Sequence, residues 1–159
     1  MMTDMTLSTA PSVNVQMLMR VPVAMVFEAF VNPEITTKFW FTRSDGPLEV
    51  GKPNRFYFDI YGVSGSVEVI AIEHNERILI KWGEDPHKSL VEWTFEARPD
   101  DTTLVKISNT GFAGNGDELV AWALDSMGGF AMLLAGAKAW LEHGIQLNLT
   151  GDSYPDGHP

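Results

Sequence analysis

From Asn115 to Leu147 apolar residues recur at helical spacing, and the run is so long that the rest of the chain must be arranged along it. At about 1.5 Å per residue a helix over this stretch is about 45 Å long, more than the width of a small domain, so it must cross any sheet it lies on. Asn115 supplies an acceptor for the first orphan N–H groups, and Glu118 follows three residues on, the spacing of a capping box. One apolar row runs through Leu119, Ala123, Met127, Phe130, Leu134, Ala137 and Leu141; a second, through Val120, Leu124, Leu133 and Trp140, widens it. Phe130 to Ala137 is apolar all round and should be buried on more than one side, yet it is too short to span a bilayer. Gly128-Gly129 interrupts the helix, which predicts a bend or a close approach there, and a bend can open a cavity.

Ahead of this helix the period is mostly two. Val13, Val15, Met17 and Met19 alternate as a strand; Val23, Val26, Phe27 and Phe30 then form a short helical stripe, and a second short helix is expected over about Pro33 to Phe39. Phe56, Phe58 and Ile60 share one face of the next strand, with a turn at Gly62 and Gly65 before Val67, Val69 and Ala71. Ile78, Ile80 and Trp82, then Val91, Trp93 and Phe95, then Val105, Ile107 and Asn109 mark the inward faces of three further strands. The order is a strand, two short helices, five or six antiparallel strands and one long helix. Such a sheet buries one face against the helix, giving a two-layer α+β domain. Phe58, Trp82, Trp93, Phe95 and Phe130 are too bulky to interleave closely, so a curved sheet gripping the helix around a cavity accommodates them. Residues 1–12 are expected to be a flexible N-terminus, 13–149 a single domain, and 150–159 an irregular tail.

Charge and composition narrow the functions. Of 159 residues, 11 are Lys or Arg and 21 Asp or Glu, and a net charge of −10 repels nucleic acid and anionic lipid surfaces. Without cysteine there is no disulfide, thiolate metal site or cysteine nucleophile. Nothing in Met1 to Pro11 reads as a secretory signal, so a cytoplasmic location is expected. The four histidines show no metal spacing, and His143 is placed to interact with the helix dipole. Gly62-Val63-Ser64-Gly65-Ser66 sits in a hairpin rather than a nucleophile elbow, and the glycines of 111–116 lack the lysine and βαβ context of a phosphate loop. Neither a metal nor a cofactor is expected.

Several segments, taken in order, resemble the START-like (SRPBCC) superfamily, and within it proteins similar to the C-terminal domain of the activator of the Hsp90 ATPase. They are Val21-Pro22-Val23-Ala24-Met25-Val26-Phe27, Phe39-Trp40, Ile78-Leu79-Ile80-Lys81-Trp82, Val91-Glu92-Trp93-Thr94-Phe95, Ser108-Asn109-Thr110-Gly111-Phe112, and Gly128-Gly129-Phe130 through Leu141-Glu142-His143-Gly144. The resemblance covers about Val13 to Leu149 and implies a helix-grip fold with an elongated pocket between sheet and long helix. It does not imply one activity, since members include lipid carriers, polyketide cyclases and stress-induced proteins. The separate domain with which that activator engages its chaperone has no counterpart in these residues, so the activity is not carried over with the name, and an Hsp90-related co-chaperone in contact with the chaperone is kept only as a further alternative.

Binding or carriage of a small neutral hydrophobic molecule is the function expected, with the wall drawn from Trp40, Phe58, Trp82, Trp93, Phe95, Asn109, Met127, Phe130 and Leu134. Met127 and Phe130 would line it at the helix bend, and Asn109, Asp125, Ser126 or Asp59 could orient the ligand by a hydrogen bond. The alternative is a cyclase or dehydratase, for which only Asp59 and Asp125 offer acid/base groups and no catalytic residue is assigned. Arg43, Arg55 and Lys38 fall at the rim and Lys81 and Lys106 outward, so no inward cation is expected to meet an anionic ligand. A monomer or homodimer is expected, with no nucleic acid and no membrane insertion.

Overall fold

A computed structural model describes residues 6–157. The first five residues of the expected flexible N-terminus, and the last two of the tail, lie outside them. Strands β1 (Val13–Met19), β2 (Arg43–Ser44), β3 (Asn54–Phe58), β4 (Val63–Glu73), β5 (Arg77–Trp82), β6 (Ser89–Ala97) and β7 (Thr103–Thr110) form one antiparallel sheet in the order β1-β7-β6-β5-β4-β3-β2. Helices α1 (Val23–Val31) and α2 (Pro33–Thr36) follow β1, and α3 (Gly116–His143) and α4 (Leu149–Asp152) close the chain. This is the α+β helix-grip arrangement expected.

Alternation sets the faces. Ile78 and Ile80, Val91, Trp93 and Phe95, and Val105, Ile107 and Asn109 are all buried, so three successive strands turn the same face inward. A bulge between Val69 and Ala71 shifts the β4 register, so that Ile72 rather than Ala71 lies opposite Ile78, and it bends the sheet. The face is covered from two sides. Phe27 and Phe30 of α1 meet Phe95 at ring distances of 5.4 and 5.9 Å, and the second half of α3 lies along β1. Thr36 Oγ1 donates to the Ala29 carbonyl and locks α2 beneath α1.

Three expectations need correction. Ile60 is not inward, because β3 ends at Phe58 and a 3-10 turn over Asp59–Tyr61 rotates it to 64% exposure. The long helix stops at His143, where Gly144 takes φ 64° and its N–H caps the last turn, so the helix does not reach Leu147. The tail is not wholly irregular either. After α3 the chain folds back, α4 forms, Tyr61 Oη donates to the Thr150 carbonyl, and Gly151 fits against Ile60 so closely that a Cβ would lie 2.9 Å from Cδ1.

α3 is capped as read, with Asn115 Oδ1 accepting from the Glu118 N–H at 2.9 Å. It runs unbroken through Gly128 and Gly129. By length and composition it meets the requirement for crossing a membrane, contrary to the judgement from its central run alone. Here its second half is core: Phe130, Leu133, Leu134 and Ala137 are buried, and Gly136 packs so tightly that a Cβ would lie 3.2 Å from the Phe39 carbonyl oxygen. Lys138 is half-buried, its side chain 32% exposed. It donates to the Leu18 carbonyl at 2.7 Å and pairs with Glu142, whose carboxylate also accepts from the Arg20 N–H at 3.0 Å, so α3 is tied to the end of β1. Burial disfavours the charged form of Glu142, but the bonds from Lys138 and Arg20 and the neighbouring positive charges outweigh it, holding its carboxyl below the usual range.

Candidate functional site

The first half of α3 reaches the sheet through the Ser126–Asn109 bond but does not pack down on it, and a cavity of about 680 Å³ lies beneath it. Trp40, just past α2, is the hub of its aromatic wall. Its ring centroid is 5.2 Å from Phe56, 5.9 Å from Trp82, 6.0 Å from Trp93, 6.2 Å from Phe130 and 6.4 Å from Phe58. Strands β3, β5 and β6 each bring an inward ring toward Trp40, and α3 brings Phe130 from above.

Five of the nine expected wall residues, Trp40, Phe58, Trp82, Asn109 and Phe130, line the cavity. The other four do not. Trp93, 2% exposed, lies behind the wall with its ring against Phe30, Trp40 and Phe130, and its Nε1–H finds no acceptor among the described residues. Phe95 is taken up by Phe27 and Phe30, and Leu134 is core. Met127 is exposed and off the cavity. The reason is one residue of helical phase. Along α3 the cavity takes in Trp122, Ser126, Gly129 and Leu133, a stripe one position ahead of Ala123, Met127, Phe130 and Leu134, of which only Phe130 reaches it. Gly128 and Gly129 also line it, and a Cβ at either would meet nothing within 4 Å, so they mark open space rather than the close approach expected of them.

Sequence reasoning missed Tyr61, Val63, Phe112, Trp122 and Leu133, and also Thr150, Ser153 and Tyr154 from the returning tail. Val63 opens β4 and is 56% exposed, and the others come from a 3-10 turn, a loop, the long helix and a segment with no periodicity, so alternation carried no sign of them.

The polar end is built from β6, β7 and α3. Asn109, 2% exposed, donates from Nδ2 to Ser89 Oγ at 2.9 Å and to the Leu90 carbonyl at 2.7 Å, while its Oδ1 accepts from Ser126 Oγ at 2.7 Å. Asp125 and His87 also face the cavity, with His87 5.2 Å from the Trp122 ring. Asp59 does not: it pairs with Arg43 at 3.0 Å outside, so the two carboxylates considered for acid/base work are separated. Among the described residues no lysine or arginine lines the cavity, whereas Glu84, Asp85 and Asp125 do. Arg55 pairs with Glu84 at 2.8 Å and Lys38 lies over Trp140 at 5.6 Å. Nor do the described residues hold a cluster of His, Asp or Glu fit for a metal ion.

An antiparallel sheet wrapped on a long C-terminal helix, with a cavity between them, defines a START-like helix-grip domain. The sequence pattern of the activator of Hsp90 ATPase homolog 1-like proteins matches residues 20–139, and the chain belongs to that family. Among solved structures, protein SSP2350 from Staphylococcus saprophyticus is 28% identical, with 86% of this chain and 96% of that one covered and a TM-score of 0.72. The Aha1 dimer from Colwellia psychrerythraea is 16% identical, covering 84% and 98%, with a TM-score of 0.70. CalU16 from Micromonospora echinospora is 18% identical, covering 91% and 82%, with a TM-score of 0.69. The last two are likenesses of fold alone. No match was found among curated proteins.

Proposed function

We propose that the chain binds a small, uncharged, largely aromatic or aliphatic molecule in the cavity between sheet and α3. The observation that carries this reading is the wall itself: about 680 Å³, within the roughly 300–1,000 Å³ of small-molecule sites, lined by Trp40, Phe58, Trp82, Phe130 and Leu133 and, among the described residues, by no lysine or arginine. Burial of apolar area is then the driving term, and an anion meets Asp125 and no lysine or arginine among the described residues of the wall, since Arg55 and Lys88 are taken up by Glu84 and Asp85. Mass spectrometry of the native protein purified from its own host tests for a molecule that travels with it. In vitro, titration with naphthalene derivatives should give affinities that change little between about 0.05 and 0.5 M salt, a range over which exposed charge pairs are strongly screened. Tighter binding of a carboxylated analogue, abolished by Arg55→Met or Arg43→Met, would overturn the reading.

A further inference from the structure

We propose that Ser89 is the residue that orients the ligand, and that the ligand class is therefore an apolar molecule carrying an uncharged carbonyl oxygen. The inference rests on the binding reading above and deepens it. Asn109 is one of the four residues that sequence reasoning offers for this role, but both of its amide hydrogens are used by the protein. The Leu90 carbonyl can only accept, so the atom 2.7 Å from it must be the amide nitrogen, which settles the orientation of the group. The second amide hydrogen goes to Ser89 Oγ, and Oδ1, which has no hydrogen, must receive that of Ser126. Asn109 has no hydrogen left for a ligand, only a second lone pair on Oδ1.

Ser89 is the reverse case. Its oxygen accepts from Asn109, so its own hydrogen is unspent, and no other partner for it is found among the described residues. The hydroxyl is on the cavity wall and the residue is only 7% exposed. Solvent entering the cavity can take this hydrogen, but a ligand that displaces solvent must offer an acceptor or leave a buried donor unpaired. A carboxylate would accept too, yet Asp125 shares the wall with it, Glu84 and Asp85 already hold Arg55 and Lys88, and among the described residues no lysine or arginine lines the cavity to receive it. A ketone, ester or amide oxygen satisfies both conditions. Trp82 stands directly opposite Ser89 in the β5–β6 pairing, so an aromatic ligand with its carbonyl on Ser89 has an indole beside its ring.

The probes are 2-acetylnaphthalene and 2-ethylnaphthalene, nearly equal in shape, followed by quenching of tryptophan emission. The quantity read is the ratio of their affinities, which cancels their difference in hydrophobicity when wild type and variant are compared. Ser89→Ala should shift that ratio about five- to tenfold toward the hydrocarbon, the worth of one neutral hydrogen bond. Ser89→Thr should restore it, and Ser108→Ala, on the outward face of β7 and off the cavity, should not move it. Both probes saturating with the ratio unchanged by Ser89→Ala overturns the inference and leaves the cavity reading standing. Neither probe saturating overturns the cavity reading and the inference with it. Should Ser89→Ala not fold, the infrared carbonyl stretch of labelled 2-acetylnaphthalene on wild-type protein decides: a shift to lower frequency than in hexane is expected, and the hexane frequency refutes the bond.

Discussion

The two halves of α3 carry the same kind of sequence and meet opposite fates. Past Phe130 the helix is core, pressed on β1 and fixed by Lys138 and Glu142; before it, Trp122, Leu124 and Met127 are exposed and the space beneath is open. The glycines record the contrast. At Gly136 the Phe39 backbone comes so close that a Cβ would have to push it back by a few tenths of an ångström, while Gly128 and Gly129 face a void. An apolar helical stripe therefore shows that something apolar is to be covered, and the opposing surface decides whether protein or ligand covers it.

The sharpest way to break this comparison is to truncate one leucine in each half. Leu134→Ala should lower stability by about 2 to 5 kcal/mol in urea melts, whereas Leu124, 69% exposed, should lose no more than about 0.5 kcal/mol on the same change. Equal losses would mean that the first half is packed down in solution. Trp93→Ala should cost about 3 to 5 kcal/mol, since this ring backs the cavity wall without lining it.

Next in size is Glu142→Gln, which weakens the tie to β1 and should cost about 1.5 to 3 kcal/mol near neutral pH, as expected for hydrogen bonds to a charged group. The sign of its pH dependence follows from the direction of the shift. Because the folded carboxyl titrates below its unfolded value, its contribution is complete above about pH 4.3 and is lost as pH falls through the folded value. The melting curves of wild type and variant should therefore converge in acid; a constant gap down to pH 2 would refute the assignment.

The smallest effect carries opposite signs. Gly128→Ala should raise stability by about 0.5 to 1 kcal/mol through helix propensity alone. Gly136→Ala should show no such gain, because its Cβ meets the Phe39 carbonyl oxygen at 3.2 Å and the Phe39 Cβ at 3.3 Å. Thermal melts of the two variants, run side by side, read the difference directly.

Much of the fold was legible because strand alternation and helical spacing are local. Ile78 and Ile80, or Val91 and Trp93, announce their face without reference to the rest of the chain. The site was legible only by halves. Trp82 and Phe95 both point inward, yet one reaches the cavity and the other the α1 core, because alternation gives direction but not what stands opposite. The phase of α3 was off by one residue for a related reason. Its cavity face includes Ser126 and Gly129, which no hydrophobic count would choose. Ser89 opens its strand as an ordinary polar residue, and only the orientation of Asn109 gives it significance.

The strand order also bears on how the protein is assembled. From β3 onward each strand pairs with its predecessor, so most of the sheet can grow by successive hairpins. β1 joins from the far end of the sequence, Val13 opposite Asn109 and Met19 opposite Thr103, and closing so long a loop is the costly step. α3 leans on that same strand, so the two should dock together and late. In chevron experiments Glu142→Gln should then speed unfolding while leaving the folding arm nearly unchanged. Since α3 is one wall of the cavity, the binding site comes into being only at the end of folding, and a chain caught before that step has a sheet but nothing with which to hold a ligand.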